Sequence, residues 1–133
     1  ECGSHYARSL ASWSLLTALS GYYFDLPHGV LGFSPRLWPE RWQSFWSTGT
    51  GWGIFGQCLH DGHVEASLRV EQGSLTLREL HLGSVGEASA GEAAVDDQAL
   101  EMALASRERG VAVRFPARVT IQGGQTLRLS LQR

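Results

Sequence analysis

The sequence predicts an α+β fold in which one long N-terminal helix precedes an antiparallel, β-sandwich-like region. Near the N-terminus, large apolar residues recur at steps of three and four, the spacing of an amphipathic helix. After Gly21 the hydrophobic period changes to two, which is typical of strands. With 133 residues, 43% of them hydrophobic and 18% charged, the chain can bury a core without a metal or a disulfide.

The helix is predicted over residues 4–20, where Pro and Gly are absent, and Gly21 is suited to end it in the left-handed conformation. Its other faces carry alanine and serine, and Arg8 is the sole charged residue in the span. A surface helix normally has a charged stripe opposite its apolar one. We therefore expect this helix to be packed on most sides, by partners that the rest of the chain does not supply. The apolar positions are Tyr6, Leu10, Trp13, Leu16 and Leu19.

The β region is predicted as short runs separated by turns that suit positive backbone angles. The turns are expected at residues 27–29, 61–62, 72–73 and 123–124. The small, polar stretch at residues 83–97 predicts a mobile connection, and residues 99–107 predict a strand, with a short helix as the alternative. The runs cover residues 22–25, 30–33, 42–47, 52–59, 64–71, 74–82, 110–115, 118–122 and 126–131.

Charge and composition exclude several classes of partner. The formal net charge is −2 and no run of like charge occurs, so neither nucleic acid nor an anionic membrane is expected to bind. The longest mostly apolar stretch, residues 10–24, is shorter than a bilayer span. Cys2 and Cys58 have no zinc or redox spacing and predict free thiols, which favours a reducing, cytoplasmic location. No cofactor is predicted.

Two local motifs have structural explanations. Gly51, Gly53 and Gly56 satisfy GxGxxG, but no helix follows to hold a pyrophosphate. A bulge or close backbone approach in a strand is the better interpretation. His60 and His63 flank a predicted turn and face each other, yet a tight metal site needs more ligands than this tip offers. No metal site is predicted.

Four tryptophans fall within 15 residues, and flat aromatic rings suit either a sugar-binding surface or a core. Residues 42–47 carry bulky side chains on both alternating faces, which favours core packing. The group comprises Trp38, Trp42, Trp46 and Trp52, with Phe45 and Phe55 among them.

Glu1, His5 and Arg8 are the candidate substrate-binding residues. Their spacing of four and three places them on one flank near the helix N-terminus, where they could contact a polyhydroxylated ligand. The alternatives are a salt bridge between Glu1 and Arg8, or an Arg8 held by loop carbonyls. Catalytic residues are not predicted, because the chain contains no GxSxG, no HExxH and no opposed pair of acids.

Several segments resemble one enzyme family. Residues 1–36 (ECGSHYARSLASWSLLTALSGYYFDLPHGVLGFSPR), with YARSLASW in the helix, are similar to the C-terminal part of the catalytic region in bacterial proteins of glycoside hydrolase family 116, the non-lysosomal glucosylceramidase type. Residues 44–57 (SFWSTGTGWGIFGQ), 74–80 (SLTLREL) and 123–131 (GGQTLRLSL) resemble the β segment that ends those chains. The glutamate and arginine that hold the sugar in that family lie upstream, so they do not map onto Glu1 and Arg8.

The resemblance implies a C-terminal fragment of a retaining β-glycoside hydrolase. Residues 1–36 would be the end of a helical-barrel catalytic domain, with the last barrel helix, and residues 37–133 an antiparallel β region. The catalytic carboxylates would precede Glu1, so this chain alone is expected to be inactive. Its partners would be the remainder of the parent polypeptide and a carbohydrate substrate. The alternative is a stand-alone carbohydrate-binding or structural β module.

Overall fold

One helix is followed by strands throughout the part of the chain that the computed structural model describes. That part is the backbone from residue 3 to residue 133, with side chains from residue 6 onward. The elements are α1 (Gly3–Ser20), β1 (Tyr23–Asp25), β2 (Val30–Phe33), β3 (Arg41–Ser47), β4 (Gly51–His60), β5 (His63–Leu82), β6 (Ala90–Val95), β7 (Gln98–Leu100), β8 (Ala103–Arg107), β9 (Gly110–Gln122) and β10 (Thr126–Gln132).

The strands form one mixed sheet, so the predicted fold class is wrong. An α+β chain with a barrel helix and an antiparallel β-sandwich-like region was expected, but the fold is mainly β and strand β2 pairs parallel to β5. Strand β2 forms a hairpin with β1 and also pairs with the second half of β5, which lies far away in the sequence. Local periodicity does not reveal such a long-range pairing. The single helix, 18 residues long, adds no layer to this sheet.

Strand β5 joins two halves of the sheet. Its first half pairs with β4 and β10, and its second half pairs with β2 and β9. The turn predicted at residues 72–73 is therefore absent: Gly73 has a φ of 80° and lies inside the strand. Because each half of β5 has its own neighbours, the chain continues from one half-sheet into the other instead of reversing.

The two half-sheets bury one hydrophobic core between them. Phe33 of β2 stacks on Phe55 of β4 with ring centroids 3.8 Å apart, so residues from both halves meet face to face. Side chains alternate between the two faces of each strand, so the apolar residues at every second position point into this core. Its largest fully buried members are Trp46, Phe33, Phe55, Leu31, Leu68, Leu75, Leu77, Leu80, Leu82, Ile121, Leu127 and Leu131.

The glycines of the GxGxxG motif lie in β4, as the strand interpretation predicted. The ladder to β5 shifts register between Trp52 and Gly53, and a Cβ at Gly53 would overlap the carbonyl oxygen of Arg69. A bulge and a close backbone approach are both confirmed, which explains the glycine without any nucleotide.

The other turns and connections differ in how well the sequence predicted them. Turns are found at residues 27–29, 61–62 and 123–124, between the strands expected. The stretch at residues 83–97 is more than a mobile connection, because β6 lies within it and buries Ala93 and Val95. Residues 99–107 were predicted as one strand, but they contribute to two short strands, β7 and β8, which are separated by residues 101–102 and pair with β6 and β9 respectively.

Helix α1 projects from this body and is held at its C-terminal end. Gly21 ends it with a φ of 60°, as predicted. The carbonyls of Leu19 and Ser20 accept hydrogen bonds from the amides of Arg36 and Ser34, at 2.9 Å each. These contacts cap two carbonyls that would otherwise lack partners and fix the direction in which the helix leaves the sheet.

The described strands leave most of the helix uncovered, and which partner packs against it stays a prediction. Trp13 is 74% exposed and Leu10 is 68% exposed, whereas Ser20 at the junction is buried. Residues 23–33, which fall in the first of the two predicted segments, form β1 and β2 of the same sheet. The division between residues 36 and 37 stays a prediction.

Candidate functional site

The surface of α1 is the first candidate site. Its exposed large apolar residues are distributed around much of the circumference, and Arg8 is exposed beside them. They are Tyr6, Leu10, Trp13, Leu15, Leu16 and Leu19. Leaving such side chains in water forgoes about 1.5–3 kcal/mol for each one that a partner could bury fully.

The serines of α1 make this surface compatible with burial. The hydroxyls of Ser12, Ser14 and Ser20 each donate a 2.6 Å hydrogen bond to a carbonyl of the preceding turn. A hydroxyl that is satisfied within its own helix can be removed from water at little cost. The polar groups of α1 therefore do not oppose the packing of another apolar surface against it.

The candidate residues Glu1, His5 and Arg8 are only partly described. Glu1 and the side chain of His5 lie outside the described residues, and Arg8 is exposed on α1. The structure does not bring Arg8 to the groove described next, which is lined by residues of β3, β4, β5 and β10. A role of these three residues at a substrate site stays a prediction.

A groove crosses the outer face of the half-sheet that contains β3, β4, β5 and β10. We call it the outer groove, and it has a volume of about 850 Å³. Trp46 and Phe55 point into the core, so alternate residues on the same strands face outward. The outward residues that line it are Arg41, Gln43, Gly56, Cys58, Glu65, Ser67, Arg128 and Ser130.

The pairing of the strands explains the shape of the outer groove. Gly56 of β4 lies opposite Ser67 of β5, and Ser67 lies opposite Arg128 of β10. The first two residues in this row are small, so they form a low floor between taller neighbouring rows. One neighbouring row contains Glu65 and the other Ile54. The groove exists because a glycine and a serine are adjacent across two strands.

A second depression, of about 530 Å³, adjoins the outer groove and shares Arg128 and Ser130 with it. It extends over β6 and β7, where Ala94 and Ala99 are again small. From β3 to β6 the face crosses four strand spacings of about 4.8 Å, or ~19 Å. The two depressions thus form one trough across the strands, lined mostly by polar residues in the outer groove and mostly by small or apolar residues in the second depression.

The arginines of the outer groove are available to a ligand. Within the described residues, neither the Arg41 nor the Arg128 guanidinium has an ion pair or hydrogen-bond partner, and both residues are exposed. Glu65 contributes one carboxylate, 3.9 Å from His60. The groove therefore contains charged donors and a charged acceptor together with neutral groups that can do both.

Two exposed aromatic rings lie on the same outer face. Phe45 of β3 follows Gln43 at the next outward position, and Trp52 of β4 lies beside it with ring centroids 5.8 Å apart. The tryptophan group therefore divides: Trp46 and Phe55 are core residues and Trp42 packs against the core, whereas Phe45, Trp52 and Trp38 are exposed. The expectation that both faces of residues 42–47 are covered is wrong, because β3 is paired on one side and open on its outer face.

The other half-sheet carries a polar cluster around His81, which is 7% exposed. Glu79 Oε2 lies 2.9 Å and the Arg107 guanidinium 3.0 Å from His81 Nε2, and Tyr23 contacts Nδ1. Nε2 donates to Glu79 when it carries a hydrogen and accepts from Arg107 when it does not. Arg114 forms an ion pair with Glu79 at 3.2 Å.

Hydrogen bonds, charges and burial shift the pKa values of this cluster. Burial lowers the pKa of His81; the hydrogen bond to Glu79 opposes this change, while the charge of Arg107 adds to it. The hydrogen bond from His81, together with Arg114, lowers the pKa of Glu79. A lowered pKa favours the ionised carboxylate of Glu79, whereas the general acid of a glycosidase has a raised pKa.

The described residues contain no metal site. His60 and His63 face each other across the β4–β5 hairpin, as predicted, with ring centroids 6.2 Å apart. No group of three or more His, Cys, Asp or Glu side chains is placed to hold an ion anywhere in the described part of the chain. Cys58 is a free thiol and lies in the outer groove.

Sequence reasoning missed the outer groove. Its residues come from four strands, and only their order in the sheet brings them together. A partial signal exists, because β5 and β10 alternate apolar residues with the polar residues Glu65, Ser67, Arg128 and Ser130. That pattern predicts an exposed face but not which strands share it.

Comparison of the sequence with models of protein families gives no match, and comparison with curated proteins gives no relative. The glycoside hydrolase resemblance therefore rests on the quoted segments alone. In the described part of the chain, no helix has both the length and the apolar character needed to cross a bilayer.

Proposed function

We propose that this chain is a non-catalytic domain of a β-glycoside hydrolase, anchored to the remainder of its polypeptide through α1. The observation that carries the proposal is the exposed apolar surface of α1, which projects from a β body that has its own buried core. The resemblance of residues 1–36 and of the β segments supplies the class of enzyme, in which sugar is released with retention by carboxylates elsewhere in the polypeptide.

The character of α1 favours a protein partner. Ala7, Ala11 and Ala18 alternate with the large side chains, and small residues allow another helix to approach closely. Self-satisfied serine hydroxyls lower the cost of burying the whole circumference. An isolated helix of this length is only marginally stable in water, so a partner stabilises α1 while it fixes the β body in place.

The test uses the polypeptide encoded by the intact gene. Leu10→Glu and Leu16→Glu each place a charge on α1, and we expect either to lower the melting temperature of the enzyme and its hydrolysis of an aryl β-glucoside. The control is Gly49→Ser, at a position with open space around it. The isolated chain is expected to release no sugar.

Four results would overturn the proposal. The first is a gene that encodes no catalytic region, and the second is a full polypeptide that does not cleave β-glycosides. The charged α1 variants could also behave as the control does. Sedimentation of the isolated chain tests whether a second copy of this chain covers α1. A dimer that Leu10→Glu dissociates would show that α1 mediates self-association, and it would reject the anchoring role.

A further inference from the structure

We propose that the outer groove is a binding site for a carbohydrate chain that lies across the strands, with Arg41, Gln43, Glu65 and Arg128 as its hydrogen-bonding residues. The proposal does not rest on the proposed function, because it concerns the sheet and not α1. It is carried by the shape of the groove, its mixture of donors and acceptors, and the aromatic rings beside it.

The shape suits an extended ligand. The floor at Gly56 and Ser67 continues past Arg128 into the second depression, so the trough crosses β3 to β6 over ~19 Å. A volume of about 850 Å³ in the outer groove alone is within the range of sites that hold small organic ligands. The trough is longer than one sugar ring and accommodates several in a row.

The chemistry of the lining matches hydroxyl groups. A sugar hydroxyl both donates and accepts, so it is best held where donors and acceptors alternate. Arg41 and Arg128 donate, Glu65 accepts, and Gln43 does both. Since neither arginine has a partner within the described residues, a ligand need not displace an existing ion pair.

The aromatic rings provide the second element of sugar recognition. Phe45 is 44% and Trp52 40% exposed. Both lie on the outer face, Phe45 one row and Trp52 two rows beyond the floor. The apolar faces of pyranose rings pack on aromatic rings while their hydroxyls point to polar groups. Here the rings and the polar groups share the outer face of one half-sheet, with Ile54 between Gly56 and Trp52 on β4.

The charges argue against polyanions. Glu65 lies in the row beside the groove floor, on a strand between those of the two arginines, and the whole chain carries a net charge of −2. A phosphate or sulfate chain would meet this carboxylate. A neutral oligosaccharide avoids that repulsion.

The experiment titrates the chain with cellohexaose, laminarihexaose and mannohexaose and follows tryptophan fluorescence and heat. We expect saturable binding of at least one hexasaccharide, with slower alkylation of Cys58 in the bound state because this thiol lines the groove. Gly56→Val fills the floor. Gly56 does not have a positive φ, and a Cβ there would lie 2.9 Å from the Ser67 hydroxyl, the end of a side chain that has to rotate away. We expect this variant to bind at least about tenfold more weakly.

Arg128→Ala is the second variant, at an exposed position that the fold does not need. It should weaken binding about tenfold or more through the lost charged hydrogen bonds. Gly49→Val, in open space outside the groove, is the matched control and should bind as the parent chain does. Trp52→Ala should weaken hexasaccharides more than trisaccharides, because the ring lies two rows beyond the floor.

The proposal is rejected if no hexasaccharide binds at millimolar concentration, or if the Gly49 control loses as much affinity as Gly56→Val. Binding of a heparin hexasaccharide in preference to all neutral ones also rejects it. Leu10→Glu on α1 should leave the binding of hexasaccharides unchanged. The carbohydrate-binding proposal and the anchoring proposal can therefore be rejected independently of each other.

Discussion

The helix and the sheet contain similar apolar residues, yet they bury them very differently. Trp13 on α1 is 74% exposed, whereas Trp46 on β3 is 0% exposed. A helix satisfies its backbone hydrogen bonds within one segment, so it can form without neighbours along its sides. The backbone of a strand forms its hydrogen bonds with other strands, and this pairing also brings their apolar side chains together in a core. The comparison shows that hydrophobic content alone does not decide burial.

The largest effect is expected in the core between the half-sheets. Phe55→Ala removes a ring that stacks on Phe33 and should lower the free energy of unfolding by about 3–5 kcal/mol. The measurement is urea denaturation of the isolated chain. Phe45→Ala, on the outer face of the neighbouring strand, is the matched control and should cost much less. Equal losses for the two would mean that the half-sheets do not pack on each other.

The next effect is expected at the bulge in β4. Gly53→Ala places a Cβ against the carbonyl oxygen of Arg69, and relieving that overlap should cost about 1–3 kcal/mol. Gly49→Ala should change the free energy of unfolding by no more than about 0.5 kcal/mol, since it points into open space. A stable Gly53→Ala protein would show that the bulge adjusts freely.

The His81 cluster should make stability depend on pH. Because burial lowers the pKa of His81 in the folded chain, the unfolded chain binds the proton more tightly. The free energy of unfolding should therefore fall as the pH decreases through the ordinary histidine pKa of 6.5. Protonation of Glu79, whose pKa is lowered in the folded chain, should remove further stability below its ordinary value of 4.5.

His81→Gln tests this origin, because glutamine keeps hydrogen-bonding groups but does not titrate. Urea denaturation between about pH 8 and pH 5 should show a flatter profile for this variant. The control is His63→Gln at the exposed hairpin tip, which should retain the pH dependence of the parent chain. An unchanged slope in His81→Gln would assign the acid sensitivity to other groups.

The smallest effect is expected on α1. Trp13→Ala removes the most exposed tryptophan and should change the free energy of unfolding of the isolated chain by about 0.5 kcal/mol or less. The same denaturation experiment measures it. A loss as large as that of Phe55→Ala would show that α1 folds back onto the sheet in solution.

Local features could be predicted from the sequence, and long-range ones could not. The helix, its end at Gly21 and the hairpin at Asp61-Gly62 follow from spacing and turn chemistry, which act over a few residues. The joining of two runs into β5 at Gly73 was missed, since a glycine with positive φ can bend a strand as well as reverse it. The parallel pairing of β2 with β5 was also missed, because it links residues far apart in the chain.

The sequence by itself determined that α1 has no charged face, because the position of a residue in the sequence fixes the face of the helix on which it lies. Only the tertiary structure decided that Gly56, Ser67 and Arg128 form one row and open a groove. Their side chains meet through strand order and register, which depend on how the whole core packs and not on any one segment.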